Sequence, residues 1–318
     1  MVPHHILADN PLWVVDVGAL GGIDHRWANF TSSYKAILFE PDPREYDILR
    51  ANSSENLIVL NSALSNSPAT IDFNLCKVPG RSSVYLPNIE FLSNFSDVKS
   101  YEVIREIRIE TDTLSNQLRN NSIAEIDFIK IDTQGYELPI LQGTGDYLDS
   151  VIGLELEVEF APLYKNQPLF NEVDSFVREK GFELFDIKRY YWKRKDSIKT
   201  GNQKGQLVFG DALYFRSPEQ VLLLNNINQD KIVRSICIYL VYGYLDLAQS
   251  LLNKAHSKAL LEKNIYDTMA VFLSRSNTNF SLPFFRGIGK IQNLFEKIAA
   301  IFGGGGWYSG TDKSLGNQ

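Results

Sequence analysis

The hydrophobic pattern of the first 60 residues alternates between short apolar runs and more polar, helix-like segments. Residues 13–17, 36–40 and Leu57–Leu60 are rich in aliphatic side chains, which is typical of buried parallel strands. Residues 24–33 and 43–52 predict the two connecting helices, and the second begins with a proline, which helices tolerate at their first position. The β-α-β-α-β order predicts an open, mostly parallel sheet with right-handed crossovers.

The alternation of strands and helices continues to residue 215. Further strands are predicted at residues 69–77, 107–111, 126–131, 151–160, 182–191 and 206–215. Of these, the second is expected at a sheet edge, and the last two are expected to form an antiparallel pair. Two more helices are predicted, one opening near Tyr136 and one that ends at Gly181.

The sequence changes character after Arg216, where the strand patterns stop. We expect an α/β domain over residues 1–216, followed by a helical extension over residues 217–278. Residues 279–302 predict an amphipathic helix, because apolar side chains recur there close to a helical repeat. Residues 303–318 begin with four glycines and continue with polar side chains, which predicts a disordered tail.

A glycine-containing turn follows the first predicted strand. It begins at Asp16, ends at Gly22 and contains Gly18 and Ala19, and we expect these four residues to contact a cofactor. A dinucleotide-binding turn has glycine where this chain has Asp16, and a carboxylate there would repel a pyrophosphate. It suits the ammonium and sulfonium groups of S-adenosylmethionine. The turn alone is equally consistent with a tight connection that binds no ligand.

Candidate nucleoside contacts lie where the second and third predicted strands end. A carboxylate at the position of Glu40 can accept hydrogen bonds from both hydroxyls of a ribose. Ala63, just after the third strand, would then lie beside the adenine ring. The competing interpretation of Glu40 is an exposed acidic turn.

Acidic residues mark the ends of two later strands. Asp132 lies at the carboxyl end of a predicted central strand, where open α/β sheets bind ligands, and we expect it to contact the cofactor or the acceptor. Alternation along the next strand places Glu155, Glu157 and Glu159 on one face. Three carboxylates are costly to bury unpaired, so some of them must reach a cleft, a cation or solvent.

Three segments together resemble the FkbM-type methyltransferases. That family shows a D-x-G-A turn, an F-E-P-D-P segment and a K-I-D-x-x-G-x-E block, which correspond here to residues 16–19, 39–43 and 130–137. The resemblance extends over residues 10–216. It implies a class I, Rossmann-like methyltransferase fold that uses S-adenosylmethionine, with Asp42 also at the cofactor.

The resemblance also indicates a reaction. Relatives often methylate hydroxyl groups of sugars or other small molecules, in natural-product or surface-polysaccharide pathways. We therefore expect a small-molecule or glycan acceptor. The chain departs from the family at Leu20 and Gly21, where many relatives carry asparagine and an aliphatic residue. This departure affects the part of the turn expected to hold the methionine end of the cofactor.

Methyl transfer to an alcohol requires in-line alignment of oxygen, methyl and sulfur, and a base assists because alcohols are poor nucleophiles. The candidate bases are Asp132, Glu137, Glu157 and Glu159, and the sequence does not choose between them. Glu157 is expected to line the active site, although a salt bridge to a residue such as Lys130 is the competing interpretation. The same acids could hold Mg²⁺, but we expect no metal site.

Candidate acceptor contacts lie in two further segments. Arg81, Ser82 and Ser83 offer a guanidinium and hydroxyls near the expected cleft, where they would contact the acceptor or the methionine carboxylate. The competing interpretation is an ordinary surface turn. Tyr164 belongs to a segment that also resembles the family, and we expect it to contact the acceptor.

Composition and charge limit the classes of partner and the compartment that we expect. The net charge of −6 argues against a nucleic-acid surface, so we expect no nucleic-acid partner. The two cysteines and four histidines show no metal or disulfide spacing, and the N-terminus lacks a signal-peptide pattern, which favours the cytoplasm. Peripheral membrane contact through residues 284–302 is the less favoured alternative to packing within the protein. The sequence does not indicate an oligomeric state.

Three classes of function are consistent with these features. A methyltransferase is the leading hypothesis. A nicotinamide-dependent oxidoreductase is disfavoured by Asp16 in place of the dinucleotide glycine. The third class is a catalytically silent nucleoside-binding or scaffold protein, with the helical extension as its working surface.

Overall fold

The structure is a computed structural model that describes residues 7, 10–30, 34–196, 205–225, 227–276, 307–310 and 315–316. Its strands are, in chain order, β1 (Leu12–Val17), β2 (Tyr34–Phe39), β3 (Leu57–Leu60), β4 (Ala63–Leu64), β5 (Ala69–Cys76), β6 (Val103–Asp112), β7 (Phe128–Ile131), β8 (Gly153–Glu159), β9 (Glu183–Trp192), β10 (Gln206–Phe215) and β11 (Tyr308–Gly310).

The helices alternate with these strands and then follow them. They are α1 (Pro43–Ala51), α2 (Ile89–Leu92), α3 (Leu114–Asn120), α4 (Glu137–Gln142), α5 (Phe170–Glu179), α6 (Pro218–Val221), α7 (Gln229–Val241), α8 (Leu245–Ser257) and α9 (Lys263–Ser276). The helix expected over residues 24–33 is a short 3₁₀ helix over His25–Phe30.

The main sheet of the described residues has the strand order β11-β9-β10-β8-β7-β1-β2-β3. Strands β3, β2, β1, β7 and β8 are parallel neighbours, whereas β10 is antiparallel to both β8 and β9. The order reverses between β1 and β7, which is the switch point where such sheets bind ligands. The topology confirms the predicted fold class, a mostly parallel Rossmann-like sheet of methyltransferase type with C-terminal helices.

A second, three-stranded sheet has the order β4-β6-β5. Strand β5 runs antiparallel to β6. The prediction that residues 107–111 form an edge strand is wrong, because β6 lies between β4 and β5. The outer face of β6 is largely exposed, so its sequence pattern resembles that of an edge strand.

The C-terminal helices pack against one face of the main sheet. Apolar side chains from β1, β2, α7 and α8 form one continuous core. A charged cluster joins the same elements: the fully buried Asp127 accepts hydrogen bonds from Lys231 Nζ at 2.6 Å and Arg234 Nε at 3.0 Å. Asp127 also accepts the backbone N–H of Trp13 at 2.9 Å. The buried carboxylate therefore holds α7 to the start of β1.

The prediction of a disordered tail is wrong for residues 307–310 and 315–316. Strand β11 pairs antiparallel with β9, and the Trp307 ring lies 5.5 Å from that of Trp192. The N–H of Gly316 donates to Asp186 at 2.8 Å. Pairing and aromatic packing offset the flexibility that the glycine-rich composition suggested. The amphipathic helix expected over 279–302 lies outside the described residues.

Among the residues that the structure describes, no helix is long and apolar enough to cross a membrane.

We expect Asp127→Ala to lower the free energy of unfolding by about 3 kcal/mol, because it removes the fully buried one of the two carboxylates that pair with Lys231 and Arg234 and leaves only Glu125. Urea denaturation followed by circular dichroism measures the change. The exposed Asp146 gives a matched control, since Asp146→Ala should change stability by less than about 0.5 kcal/mol. Equal stabilities for the two variants would contradict the proposed anchoring role.

Candidate active site

A cavity of about 580 Å³ lies at the carboxyl ends of the parallel strands, beside the switch point. Its wall comprises Val17, Gly18, Leu20, Glu40, Pro41, Asp42, Glu45, Ser62, Ala63, Leu64, Phe73, Val78, Pro79, Gly80, Arg81, Ser82, Val84, Ile109, Asp132, Thr133, Gln134, Tyr136, Ile140 and Glu157. The second sheet contributes Phe73 and Ile109, so the cavity is closed on one side by the smaller sheet.

The glycine turn and the loop after β7 are in direct contact. A Cβ atom on Gly18 would lie 2.0 Å from the carbonyl oxygen of Asp132, which excludes any side chain there. Gly18 also has a φ of +77°, which glycine adopts without strain. Leu20 lines the cavity and is half exposed, and its Cδ2 would lie 3.0 Å from a Cβ on Gly80. The turn is thus packed against two neighbouring loops.

Asp16 does not line the cavity. Its carboxylate is buried, and Lys130 Nζ on the adjacent strand β7 donates to Oδ1 at 3.3 Å. Burial raises the pKa of Asp16, and the Lys130 ammonium opposes that shift. The ion pair between Asp16 and Lys130 holds together the ends of β1 and β7, where the glycine turn begins. Lys130 is therefore the partner of Asp16, not of Glu157.

Glu40 lies at the carboxyl end of β2 and lines the cavity. Burial raises the pKa of its carboxyl to about 7, although the N–H of Asp42 donates to Oε1 at 2.8 Å. Asp42 also lines the cavity, and it caps helix α1 by accepting the Arg44 N–H at 3.0 Å. The two carboxylates therefore differ: Glu40 is open to a ligand, whereas Asp42 is engaged by Arg44.

The loop after β7 brings three polar side chains to the cavity: Asp132, Thr133 and Gln134. Glu137 does not line the cavity, and it accepts hydrogen bonds from the N–H groups of Thr133 at 2.8 Å and Gly135 at 3.2 Å. Gln134 has a φ of +57°, an unusual conformation for a residue with a side chain. Such strain is concentrated at functional sites.

The Gln134 side chain joins the acidic groups of the site. Its Nε2 donates to Glu157 Oε2 at 2.6 Å and lies 3.2 Å from Asp132 Oδ1, and its Oε1 is 3.0 Å from the Tyr164 hydroxyl. In the K-I-D-x-x-G-x-E block Gln134 occupies one of the positions where the family pattern specifies no residue. Its position between two candidate acids is the only sequence signal that could have identified it.

Strand β8 is buried along its whole length, so its three glutamates need partners. Glu155 has them in Arg26 at 2.8 Å and the Tyr242 hydroxyl at 2.7 Å. Glu157 lines the cavity, and Glu159 lies deeper. Burial and mutual repulsion raise the pKa of both carboxyls well above the usual value. No ion pair of the described residues includes Glu157, so the competing salt-bridge interpretation finds no support.

The turn Pro79–Arg81 and the two serines after it have two roles: some of these residues line the cavity, and others hold neighbouring loops. Arg81 and Ser82 line the cavity. Ser83 is fully buried and donates to the Gln134 carbonyl at 2.8 Å. The Tyr164 hydroxyl lies 3.0 Å from the Arg81 carbonyl. Ser83 and Tyr164 therefore hold the loops around the cavity in place.

The predicted site residues thus fall into two groups. Those at the cavity are Gly18, Glu40, Asp42, Ala63, Arg81, Ser82, Asp132 and Glu157. Those outside its wall are Asp16, Ala19, Gly22, Ser83, Glu137 and Tyr164. Ala19 is buried in the core beneath the turn. Residues that sequence reasoning missed include the apolar contacts from the second sheet, because their approach depends on tertiary packing.

Comparison with known families shows to which kind of protein this chain belongs. A family model described as a methyltransferase FkbM domain matches residues 16–184, which is more than half of the chain. The chain belongs to the FkbM methyltransferase family. The match confirms the expected enzyme class and its cofactor, S-adenosylmethionine, and it removes the nicotinamide oxidoreductase hypothesis. No curated protein matches the sequence.

Solved structures similar to this methyltransferase are distant from it. TrmK of M. capricolum, in complex with S-adenosylhomocysteine, is 10% identical, with 85% of this chain and 96% of TrmK covered and a TM-score of 0.32. Precorrin-6y C5,15-methyltransferase from Geobacter metallireducens is 11% identical, with coverages of 67% and 86% and a TM-score of 0.33. At such low similarity these structures do not bear on the acceptor.

We expect Gly18→Ala to abolish cofactor binding in this methyltransferase, because the new Cβ would force the glycine turn away from Asp132. Gly21→Ala is the matched control. Gly21 has a similarly positive φ of +80°, but a Cβ there meets no atom within 4 Å. It should therefore cost only about 1–2 kcal/mol of backbone strain. Isothermal titration calorimetry with S-adenosylmethionine compares them, and equal affinities would show that the contact is unimportant.

Cofactor affinity should rise with pH through the pKa of Glu40. Below about pH 7 the buried carboxyl is protonated and loses an acceptor for the ribose hydroxyls, so affinity should increase roughly tenfold from about pH 6 to about pH 8. Glu40→Gln should lose this dependence, whereas Glu55→Gln, at an exposed position, should keep it. Calorimetry at several pH values measures the profile. A pH dependence that Glu40→Gln preserves would assign it to another group.

Proposed function

We propose that this chain transfers the methyl group of S-adenosylmethionine to a hydroxyl group of a sugar, a glycan or another small molecule. One observation carries the proposal: the Asp132 and Glu157 carboxylates line the same cavity as Gly18 and Glu40. Glu40 is suited to the cofactor ribose, and the contact of Gly18 with Asp132 brings the glycine turn beside the acids. The methyl donor and a proton acceptor can therefore meet in one cavity.

Asp132 is our candidate for the base. The acceptor oxygen attacks the methyl carbon in line with sulfur, the carbon–sulfur bond breaks with its electron pair going to sulfur, and the hydroxyl proton moves to the Asp132 carboxylate. Glu137 is less suited, because its Oε1 accepts backbone N–H groups and it does not line the cavity. Gln134 holds Asp132 beside Glu157 and supplies orientation.

The charge of the site favours a neutral acceptor rich in hydroxyl groups. Acidic side chains predominate, since Asp132 and Glu157 line the cavity and Glu159 and Asp211 affect the pKa of Glu157. Arg81 is the one basic residue among the described residues that line the cavity, so the cavity offers little attraction to phosphates, which disfavours nucleic acid as the acceptor. Two buried free cysteines, Cys76 and Cys237, fit a reducing compartment such as the cytoplasm.

Acceptor class is tested by measuring S-adenosylhomocysteine formation with a panel of neutral sugars, nucleotide-linked sugars, small alcohols and transfer RNA. We expect turnover with one or more hydroxyl acceptors, with the methyl group located on oxygen by mass spectrometry and NMR. Turnover confined to RNA would contradict the acceptor class. Cofactor binding without turnover on any acceptor would favour the scaffold hypothesis.

The base assignment predicts that Asp132→Asn lowers kcat by about 10²–10⁴-fold, because the amide cannot accept the hydroxyl proton. Cofactor Kd should change by less than about tenfold, so that the loss lies in the chemical step. Glu179→Gln, an exposed site at the end of α5, is the control and should leave both values unchanged. A kcat for Asp132→Asn close to that of the unmodified enzyme would assign the proton to another group.

A further inference from the structure

Three carboxylates converge beside the cavity. Oxygen atoms of Glu137, Glu157 and Glu159 lie within 4.8 Å of one another. Their side chains are almost completely buried, with exposed fractions of 1%, 7% and 1%. Glu137 begins α4 and the other two lie on β8, so the sequence alone could not show that they meet. An unbalanced cluster of buried charges of one sign is strongly unfavourable.

No cationic side chain forms an ion pair with this cluster. Among the described residues, no lysine, arginine or histidine lies within ion-pair distance of any of the three glutamates. Arg26 pairs instead with Glu155 and Lys130 with Asp16. Arg81 interacts electrostatically with Glu157, but it lies over the Tyr101 ring, 5.3 Å from its centroid. One such guanidinium does not balance three carboxylates, so further positive charge must come from a bound cation, or else protons must neutralise the cluster.

An independent observation points to a missing ligand. Glu159 Oε1 is buried and has no hydrogen-bond partner of normal geometry among the described residues, and the buried Nε2 of the neighbouring Gln167 is unpaired as well. Leaving a buried acceptor oxygen unpaired is costly, and native structures rarely do so without a bound water, ion or ligand. The other two glutamates each have one engaged oxygen, since Glu137 Oε1 accepts backbone N–H groups and Glu157 Oε2 accepts from Gln134.

We propose that Glu137, Glu157 and Glu159 bind one divalent cation with a preference for oxygen ligands, such as Mg²⁺ or Mn²⁺. Oxygens bound to one Mg²⁺ at about 2.1 Å are at most about 4.2 Å apart, so the three glutamates, whose oxygens lie within 4.8 Å of one another, need only a small inward movement to bind it. Glu157 also lines the cavity, so a cation could enter there and keep coordination positions open to water or substrate. This replaces the sequence-based expectation of no metal.

The role of the cation rests on the proposed function. A hydroxyl group that binds a divalent cation is more acidic, because the cation stabilises the alkoxide. The cation would therefore make the acceptor a better nucleophile and ease proton transfer to Asp132. Its open coordination positions would also favour acceptors that present hydroxyl groups.

Binding is tested without cofactor, acceptor or turnover. Full-length protein is stripped with a chelator and titrated with Mn²⁺, and free Mn²⁺ is measured by electron paramagnetic resonance. We expect one Mn²⁺ per chain, displaced by Mg²⁺, and a higher Tm in its presence. Glu159→Gln should weaken Mn²⁺ affinity at least roughly tenfold, and the exposed-site control Glu179→Gln should not change it.

The outcomes are distinct. Absence of Mn²⁺ binding to the unmodified protein at millimolar concentrations would overturn the proposal and assign protons to the cluster. Binding that both Glu159→Gln and Glu157→Gln retain would also overturn it, since the ion would then lie elsewhere. If Glu159→Gln fails to fold, Glu157→Gln and the shift of Tm with Mn²⁺ decide. Failure of the methyltransferase assay would leave Mn²⁺ binding intact, which separates this proposal from the proposed function.

Discussion

The burial of three carboxylates on one face of β8 is the constraint on which the site depends. Strand β8 lies inside the sheet and has no solvated face, so each glutamate needs a partner within the protein or a bound ligand. Glu155 forms a structural ion pair with Arg26, which also ties the 3₁₀ helix after the glycine turn to the sheet. Glu157 takes a hydrogen bond from Gln134, and Glu159 keeps an unpaired oxygen. The three glutamates therefore differ in how their charge is satisfied, from an ion pair at Glu155 to an unpaired oxygen at Glu159.

Much of the fold follows from local pattern, because each strand of the parallel half carries a short aliphatic run between polar turns. The ends of β1, β2 and β7 could be placed at one edge of the sheet by topology alone, and with them Gly18, Glu40 and Asp132. Alternation likewise predicted the shared face of the β8 glutamates. These inferences succeed because they need only the periodicity of a strand and the direction of the chain.

The partners of those residues could not be predicted in the same way. Arg26 and Tyr242 reach Glu155 from elements that are remote in sequence, and nothing in their local context indicates it. Ser83 and Tyr164 carry hydroxyl groups suited to a ligand, yet both hold backbone or amide groups of other loops. The tail was predicted to be disordered because its local composition is rich in glycine and polar residues. The contacts of Trp307 and Tyr308 with β9 are tertiary effects that local composition does not show.

The contact between Gly18 and the Asp132 carbonyl has a consequence for regulation of the catalytic cycle. The glycine turn and the loop that carries Asp132 cannot move independently, because no space separates their backbones. Any adjustment of one is transmitted to the other. Under the proposed function, cofactor and acceptor affinities would therefore be thermodynamically linked, and by reciprocity each ligand would change the affinity for the other by the same factor.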